Sequence, residues 1–214
     1  MSELAELLRN PPALADEDNA KRRQIVDGAR RIFLARGFDA ASMMDIAKAA
    51  GVSKGTLYVY FKNKEELFAA IVHAECCTHA ETMFGLDPAD NDVEAVLTRL
   101  GVNYVNFLCN TGKASSLRIV IAIADRMPEI GKAFYETGPA EGIARLKTYL
   151  DAQVHAGVLA IDDTEVASSQ FLDACQSTLF KPVVFNFAPP PPDERVRHVV
   201  GIAVRTFLAA YRIK

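Results

Sequence analysis

Between Ser42 and Lys64 two short runs of helical periodicity meet at a single glycine, Gly51, and this junction constrains the fold more than any other feature of the chain. Ala49-Ala50-Gly51-Val52-Ser53 leaves room only for a tight turn, and glycine takes up the positive φ that such a turn demands. Ser42-x-x-Asp45 is a capping-box pattern that starts the first run, which presents Ile46, Ala47 and Ala50 to one side. Ser53 caps the second, whose Leu57 and Phe61, at i and i+4, face inward. Asn63-x-x-Glu66 opens a further helix with Glu65 and Glu66 in its first turn, where the helix dipole favours acidic groups.

Helical spacing and helix start and stop signals recur through nearly all of the remaining sequence, so the expected fold class is all-α. Residues 1–15, with Pro11-Pro12, read as a flexible N-terminal arm. A first firm helix starts at the Asp16 to Asn19 capping cluster, buries Ile25, Ala29, Ile32 and Phe33, and stops at Gly37 as a left-handed cap. Residues 16–66 therefore form a small three-helix unit with a helix-turn-helix, and 67–214 a larger helical domain. Within the latter, helices are expected from about Asp92 to Cys109, from about Ala114 to Asp125, and from Pro128 to Gly157, the last bent or interrupted at Gly138-Pro139. Asp162-x-x-Glu165 starts another, which Lys181-Pro182 kinks or ends. Pro189 to Pro192 is a stiff spacer before a terminal helix carrying Val196, Val200, Ala203, Val204, Phe207 and Tyr211.

Net charge is −3, which alone argues against a nucleic-acid partner, but its distribution reverses the inference. Lys21 to Glu66 holds ten Lys/Arg against five Asp/Glu, while the rest holds 14 against 22. One end of the chain is built to approach phosphate. No stretch comes near the roughly 18 consecutive apolar residues of a membrane span, the N-terminus is not a secretory signal, and four cysteines make a poor disulfide framework. A soluble cytoplasmic protein without a membrane partner is expected.

With Leu57 and Phe61 turned inward, Lys54, Gly55, Thr56, Tyr58 and Tyr60 occupy the outer surface of the second short helix. A glycine lets backbone approach a base edge or methyl group, Lys54 and Thr56 can donate to bases or phosphates, and tyrosine hydroxyls suit phosphate oxygens. The stretch from about Lys21 to Glu81 resembles the DNA-binding domain of the TetR family of bacterial transcription regulators. The resemblance runs through Gly37-Phe38, Ile46-Ala47, Ala50-Gly51-Val52-Ser53, Gly55-Thr56-Leu57-Tyr58, Tyr60-Phe61 and Lys64-Glu65-Glu66-Leu67. It implies that Lys54, Gly55 and Thr56 approach bases, while Ser42, Tyr58, Tyr60 and Lys64 hold phosphates of a double-stranded DNA operator. Met43-Met44 and Val59 stand where relatives often place polar or basic side chains.

From about Ala114 to Asn186 the chain resembles the second domain of the AefR-like branch of that family, through Leu117-Arg118, Met127-Pro-Glu-Ile-Gly131 and Ala133-Phe-Tyr-Glu-Thr-Gly-Pro139. The resemblance implies a repressor released by a small-molecule effector, and a homodimer through the last two helices. The terminal helix supports the dimer independently, because Val199, Ala203 and Leu208 widen its apolar face beyond one stripe. Candidate pocket residues are Tyr104, Phe107, Arg118, Phe134, Tyr149, Phe171, Asp173 and Gln176; an aromatic at helical spacing is otherwise core. Arg118 begins the apolar run Ile119 to Ile123 and calls for a carboxylate partner or an anionic ligand.

An alternative is a ligand-binding or metal- or thiol-sensing helical protein that uses His73, Cys76 and Cys77, which share one helix face at i, i+3 and i+4. The sequence supplies no fourth ligand, and buried cysteines commonly act as small hydrophobes. No metal or cofactor is expected. The chain lacks HExxH, GxSxG, P-loop and Rossmann patterns, and His79, His155 and His198 stand apart from any nucleophile, so an enzyme is not expected.

Overall fold

A computed structural model describes residues 16–213, and every element among them is helical apart from an isolated antiparallel bridge between Leu159 and Arg212. The helices are α1 (Asp16–Ala40), α2 (Met43–Ala50), α3 (Lys54–Tyr60), α4 (Lys64–Met83), α5 (Val93–Leu108), α6 (Thr111–Ala124), α7 (Pro128–Tyr135), α8 (Glu141–His155), α9 (Thr164–Gln176), α10 (Phe180–Val184) and α11 (Asp193–Tyr211). The all-α expectation holds. No helix among the described residues is long and apolar enough to cross a membrane.

The chain divides into two compact units. The first takes in residues up to Cys77 together with Ser116–Thr137, and the second Thr78–Ser115 together with Gly138 onward. The core of the first unit is built on an aromatic trio: Phe33 stacks on Phe38 at 5.4 Å, and Phe68 meets both rings edge-on at 5.5 Å. Ile25, Ile46, Leu57 and Leu67 are fully buried beside them. Each such side chain contributes about 1.5–3 kcal/mol by leaving water. Val120, Ile123 and Ile130 from α6 and α7 lie in this same core, with Met127 and Phe134 packed against it. Gly28 lets α1 cross α2 closely, since a Cβ there would lie 2.6 Å from the Cβ of Ala50.

The second unit packs α5, α8, α9 and α11 around Leu97, Leu100, Leu146, Phe171, Val196 and Val200. Gly101 sets the approach of α5, because a Cβ would meet Val200 Cγ1 at 2.7 Å and Cys175 Sγ at 2.9 Å. The loop before α5 is pinned by Tyr149, whose hydroxyl donates to the Asp90 carbonyl at 2.9 Å, and by Gln153, whose Nε2 donates to the Pro88 carbonyl at 3.0 Å.

Several local expectations shift. Gly37 has the positive φ (75°) expected of it, but its ψ of 171° places it outside the left-handed helical region. The start at Asp162 moves to Asp163, whose Oδ1 accepts from the amides of Glu165 and Val166. The helix before Lys181-Pro182 already ends at Gln176, Thr178 has a positive φ of 64°, and Pro182 sits early in the short α10, where its missing N–H costs little. At Gly138-Pro139 the α-helical ladder is interrupted by a π-helical turn over Glu136–Ala140. Val199, Ala203 and Leu208, counted above toward a partner surface, are buried in the unit's own core.

Candidate nucleic-acid interface

The pair α2 and α3 is assembled by its caps. Ser42 Oγ accepts from the Asp45 amide at 3.1 Å and donates to Asp45 Oδ2 at 2.6 Å. Arg36 Nη1 lies 2.9 Å from the same carboxylate, and the Ser42 hydroxyl followed by Arg36 holds that carboxyl below its usual range. At the far end Gly51 takes the left-handed conformation (φ 66°, ψ 35°), so that its amide donates to the Lys48 carbonyl and that of Val52 to the Ala47 carbonyl. Gln24 Nε2 and Arg31 Nη2 take the carbonyls of Ala50 and Ala49, which fastens the turn to α1.

α3 then starts at Ser53, whose Oγ accepts from the Thr56 amide at 3.0 Å and lies 2.8 Å from Thr56 Oγ1. Leu57 and Phe61 anchor its inner side at 0% and 3% exposure. Its outer side carries two stripes: Lys54 with Tyr58, and Gly55 with Val59. Lys54 Nζ lies 5.8 Å from the centre of the Tyr58 ring, within cation–π reach. Val59 is 81% exposed, and nothing but Ser53 Oγ at 3.8 Å lies near the Cβ position of Gly55.

The seven residues proposed from sequence are thus close in space but unequally placed. Lys54, Gly55 and Tyr58 lie open on one surface. Ser42 and Thr56 have hydroxyls engaged in caps, and Tyr60 is half-buried against the core. Lys64 Nζ donates to the carbonyls of Phe38 at 3.0 Å and Asp39 at 3.3 Å and lies 4.6 Å from the Phe38 ring centre, which leaves one of its three N–H bonds for a phosphate. Sequence reasoning passed over Val59 as a departure from pattern; its i+4 spacing from Gly55 was the available signal.

The eight candidate pocket residues divide between the two units, and within the second Asp173 lies near enough to Tyr104 to act on its hydroxyl. Arg118 and Phe134 belong to the first unit, Phe134 against its core. Tyr149 and Phe171 are core residues of the second, Tyr104 packs edge-on to Phe84, Phe107 is half-buried, and Asp173 is exposed and accepts from Gln176 Nε2. An open groove of about 790 Å³ on the second unit is lined by other residues, among them Asp92, Glu94, Thr98, Arg99, Asn103 and Arg197. The side chains of His73, Cys76 and Cys77 lie outside the described residues, as does the 1–15 arm. Cys109 and Cys175 are buried free thiols.

Residues 25–71 match the domain described as bacterial regulatory proteins of the TetR family, and residues 95–213, more than half of the chain, match the C-terminal domain of AefR-like transcriptional repressors. The chain belongs to the TetR family. Among solved structures of TetR proteins, one assigned to the family's transcriptional regulators from Mesorhizobium loti superposes with a TM-score of 0.85, at 26% identity over 93% of this chain and 100% of that one. The flavonoid-responsive regulator FrrA is 31% identical over 92% of this chain and 99% of its own, with a TM-score of 0.77. An HTH-type transcriptional repressor of Mycobacterium tuberculosis is 38% identical over 65 residues, which are 30% of this chain and 35% of that repressor. The likeness to such curated relatives therefore spans about a third of their length.

Proposed function

We propose that this TetR-family chain is a DNA-binding transcription regulator, a homodimeric repressor that a small-molecule effector releases from its operator. The observation that carries the reading is the outer side of α3, where Lys54, Gly55, Tyr58 and Val59 are open while Leu57 and Phe61 hold the helix to its core. The basic balance of residues 21–66 supports it. Lys54, Gly55 and Val59 read base edges; Tyr58, Tyr60, Ser42 and the remaining N–H of Lys64 hold phosphates. Ser42 and Thr56 act first as caps, so they set the pitch of α2 and α3 and contact DNA only secondarily.

The dimer uses α9 and α11. α9 exposes Glu165 and Asp173, while α11 exposes Asp193 and Glu194 in its first turn and Arg195, Arg197 and Arg205 beyond it, so an isologous pairing can set the acidic groups of α9 against the arginines of α11 twice. Helices α4 and α6 each run from one unit into the other, which gives an effector bound in the second unit a covalent path to the first. FrrA responds to flavonoids by its name, and planar aromatic compounds are accordingly the first effector class to test. The protein acts by binding rather than catalysis, in the cytoplasm.

A band shift with DNA upstream of the protein's own gene tests the reading. A sequence-selective, salt-sensitive shift is expected. Equal binding to any duplex, or none, overturns it.

A further inference from the structure

Between α10 and α11 the chain holds two phenylalanines almost wholly in water: Phe185 is 79% exposed and Phe187 86%. Phenylalanine is among the residues most often buried, and paired exposed rings on a soluble protein mark a contact surface. The turn that carries them is fixed. The amides of Phe185, Asn186, Phe187 and Ala188 donate to the carbonyls of Lys181, Val183, Pro182 and Pro182 at 2.8–3.2 Å. Asn186 has a positive φ of 54°, Val183 is buried beneath, and Pro189 to Pro192 stiffen the connection to α11. A loop closed in this way holds its rings away from its own core, and the backbone share of the ordering cost of binding is already met.

We propose that the Phe185-Asn186-Phe187 turn is a fixed arm that inserts both rings into a second copy of this chain. The inference rests on the dimer described above and supplies what that dimer lacks. Val166 and Ile202 are the exposed large apolar residues on α9 and α11 among the described residues, at 48% and 44%, so the exposed helix faces are mostly polar. An interface of ordinary size needs an apolar centre within about 1,600 Å² of buried surface, and four rings from two arms would supply roughly 500–800 Å² of it. The arm lies on the connection between α9 and α11, directly before α11, so a copy docked on those helices brings its surface to the arm.

The chain contains no tryptophan, so Phe187→Trp places a single reporter in the arm. Its emission should be blue-shifted and shielded from acrylamide at concentrations where sedimentation shows a dimer, and should move to the red on dilution. A fully quenchable tryptophan in a dimer overturns the inference. Phe185→Ser/Phe187→Ser should raise the dimer dissociation constant by roughly 100-fold or more, while Tyr135→Ser, an exposed residue of the other unit, leaves it unchanged. Unaltered dimerisation of the double variant contradicts the arm and leaves the dimer standing; a wild-type protein monomeric at every concentration contradicts both.

Discussion

Arg126 grips Asp39 with two parallel hydrogen bonds, Nη1 to Oδ1 at 3.1 Å and Nη2 to Oδ2 at 2.8 Å, across 87 residues of sequence. Asp39 stands in the last turn of α1, shortly before Ser42, the cap of α2, and its backbone carbonyl is held by Lys64. The pair thus ties the turn before α7 to the entrance of α2. Both side chains are exposed, so the pair fixes geometry more than it adds stability.

Arg126→Ala should speed amide exchange across residues 119–134 and lower operator affinity by roughly threefold to tenfold, with little change in melting temperature. The swapped pair Arg126→Asp/Asp39→Arg should restore part of the loss. Unchanged exchange in Arg126→Ala would show that Val120, Ile123 and Ile130 hold the segment alone.

The same pair has a defined pH window. The hydrogen bonds from Arg126 hold the Asp39 carboxyl below its ordinary value of 3.8. A depressed folded value means that the contribution is fully present above the ordinary value and is lost as pH falls through the folded one. Exchange of residues 119–134 should therefore not respond to this pair between pH 5 and 8, but should respond to salt. A change in exchange near pH 6 that Asp39→Asn abolishes would contradict this assignment.

Two glycines of the first unit should separate folding from reading. Gly28→Ala forces a Cβ to 2.6 Å from that of Ala50 and 2.8 Å from its amide nitrogen, and should destabilise by about 1–3 kcal/mol. Gly55→Ala meets only Ser53 Oγ at 3.8 Å, so stability should hold or rise by up to about 1 kcal/mol while operator affinity falls. Chemical denaturation and band shifts on both variants check the contrast. Equal loss of stability would remove it.

Much of this was legible because helix signals are local. Gly51 takes the left-handed turn, and Ser42, Ser53 and Asp92 cap helices, at the positions where local pattern puts them. The cap at Asp163 instead of Asp162 is a one-residue choice between identical side chains, which local pattern cannot decide. Phe134 read as a pocket candidate because its helical spacing states that it is packed, not which core it packs on. Arg126 gave no signal, since its partner lies on a distant helix end. Val59 had the right spacing and was passed over for being apolar, although a thymine methyl is an apolar target in the major groove.

Lys54 and Lys64 should fail differently. Lys64→Ala removes the donor from the carbonyls of Phe38 and Asp39, so it should cost about 1 kcal/mol of stability and weaken binding to every sequence. Lys54→Ala should leave stability alone and alter base preference, each lost phosphate contact lowering the salt slope by about one. Matching salt titrations on specific and random duplexes distinguish them, and identical losses would contradict the division.

Cys175 is fully buried, and burial pushes its thiol up to about 12. Its alkylation by iodoacetamide, read by mass spectrometry, should be negligible until the protein unfolds. Rapid labelling in the native state would place Cys175 on a surface and undo the packing of α5 against α9 and α11.

Whether the outer side of α3 reads base sequence in a dimer is decided by selecting bound duplexes from a random pool. An inverted repeat should emerge, with half-sites about 34–36 Å apart or further. Replacing its contacted thymines by deoxyuridine should weaken the wild type but not Val59→Ala. A selected pool without an enriched repeat, or one in which Gly55→Ala and Val59→Ala change nothing, would contradict sequence reading by α3.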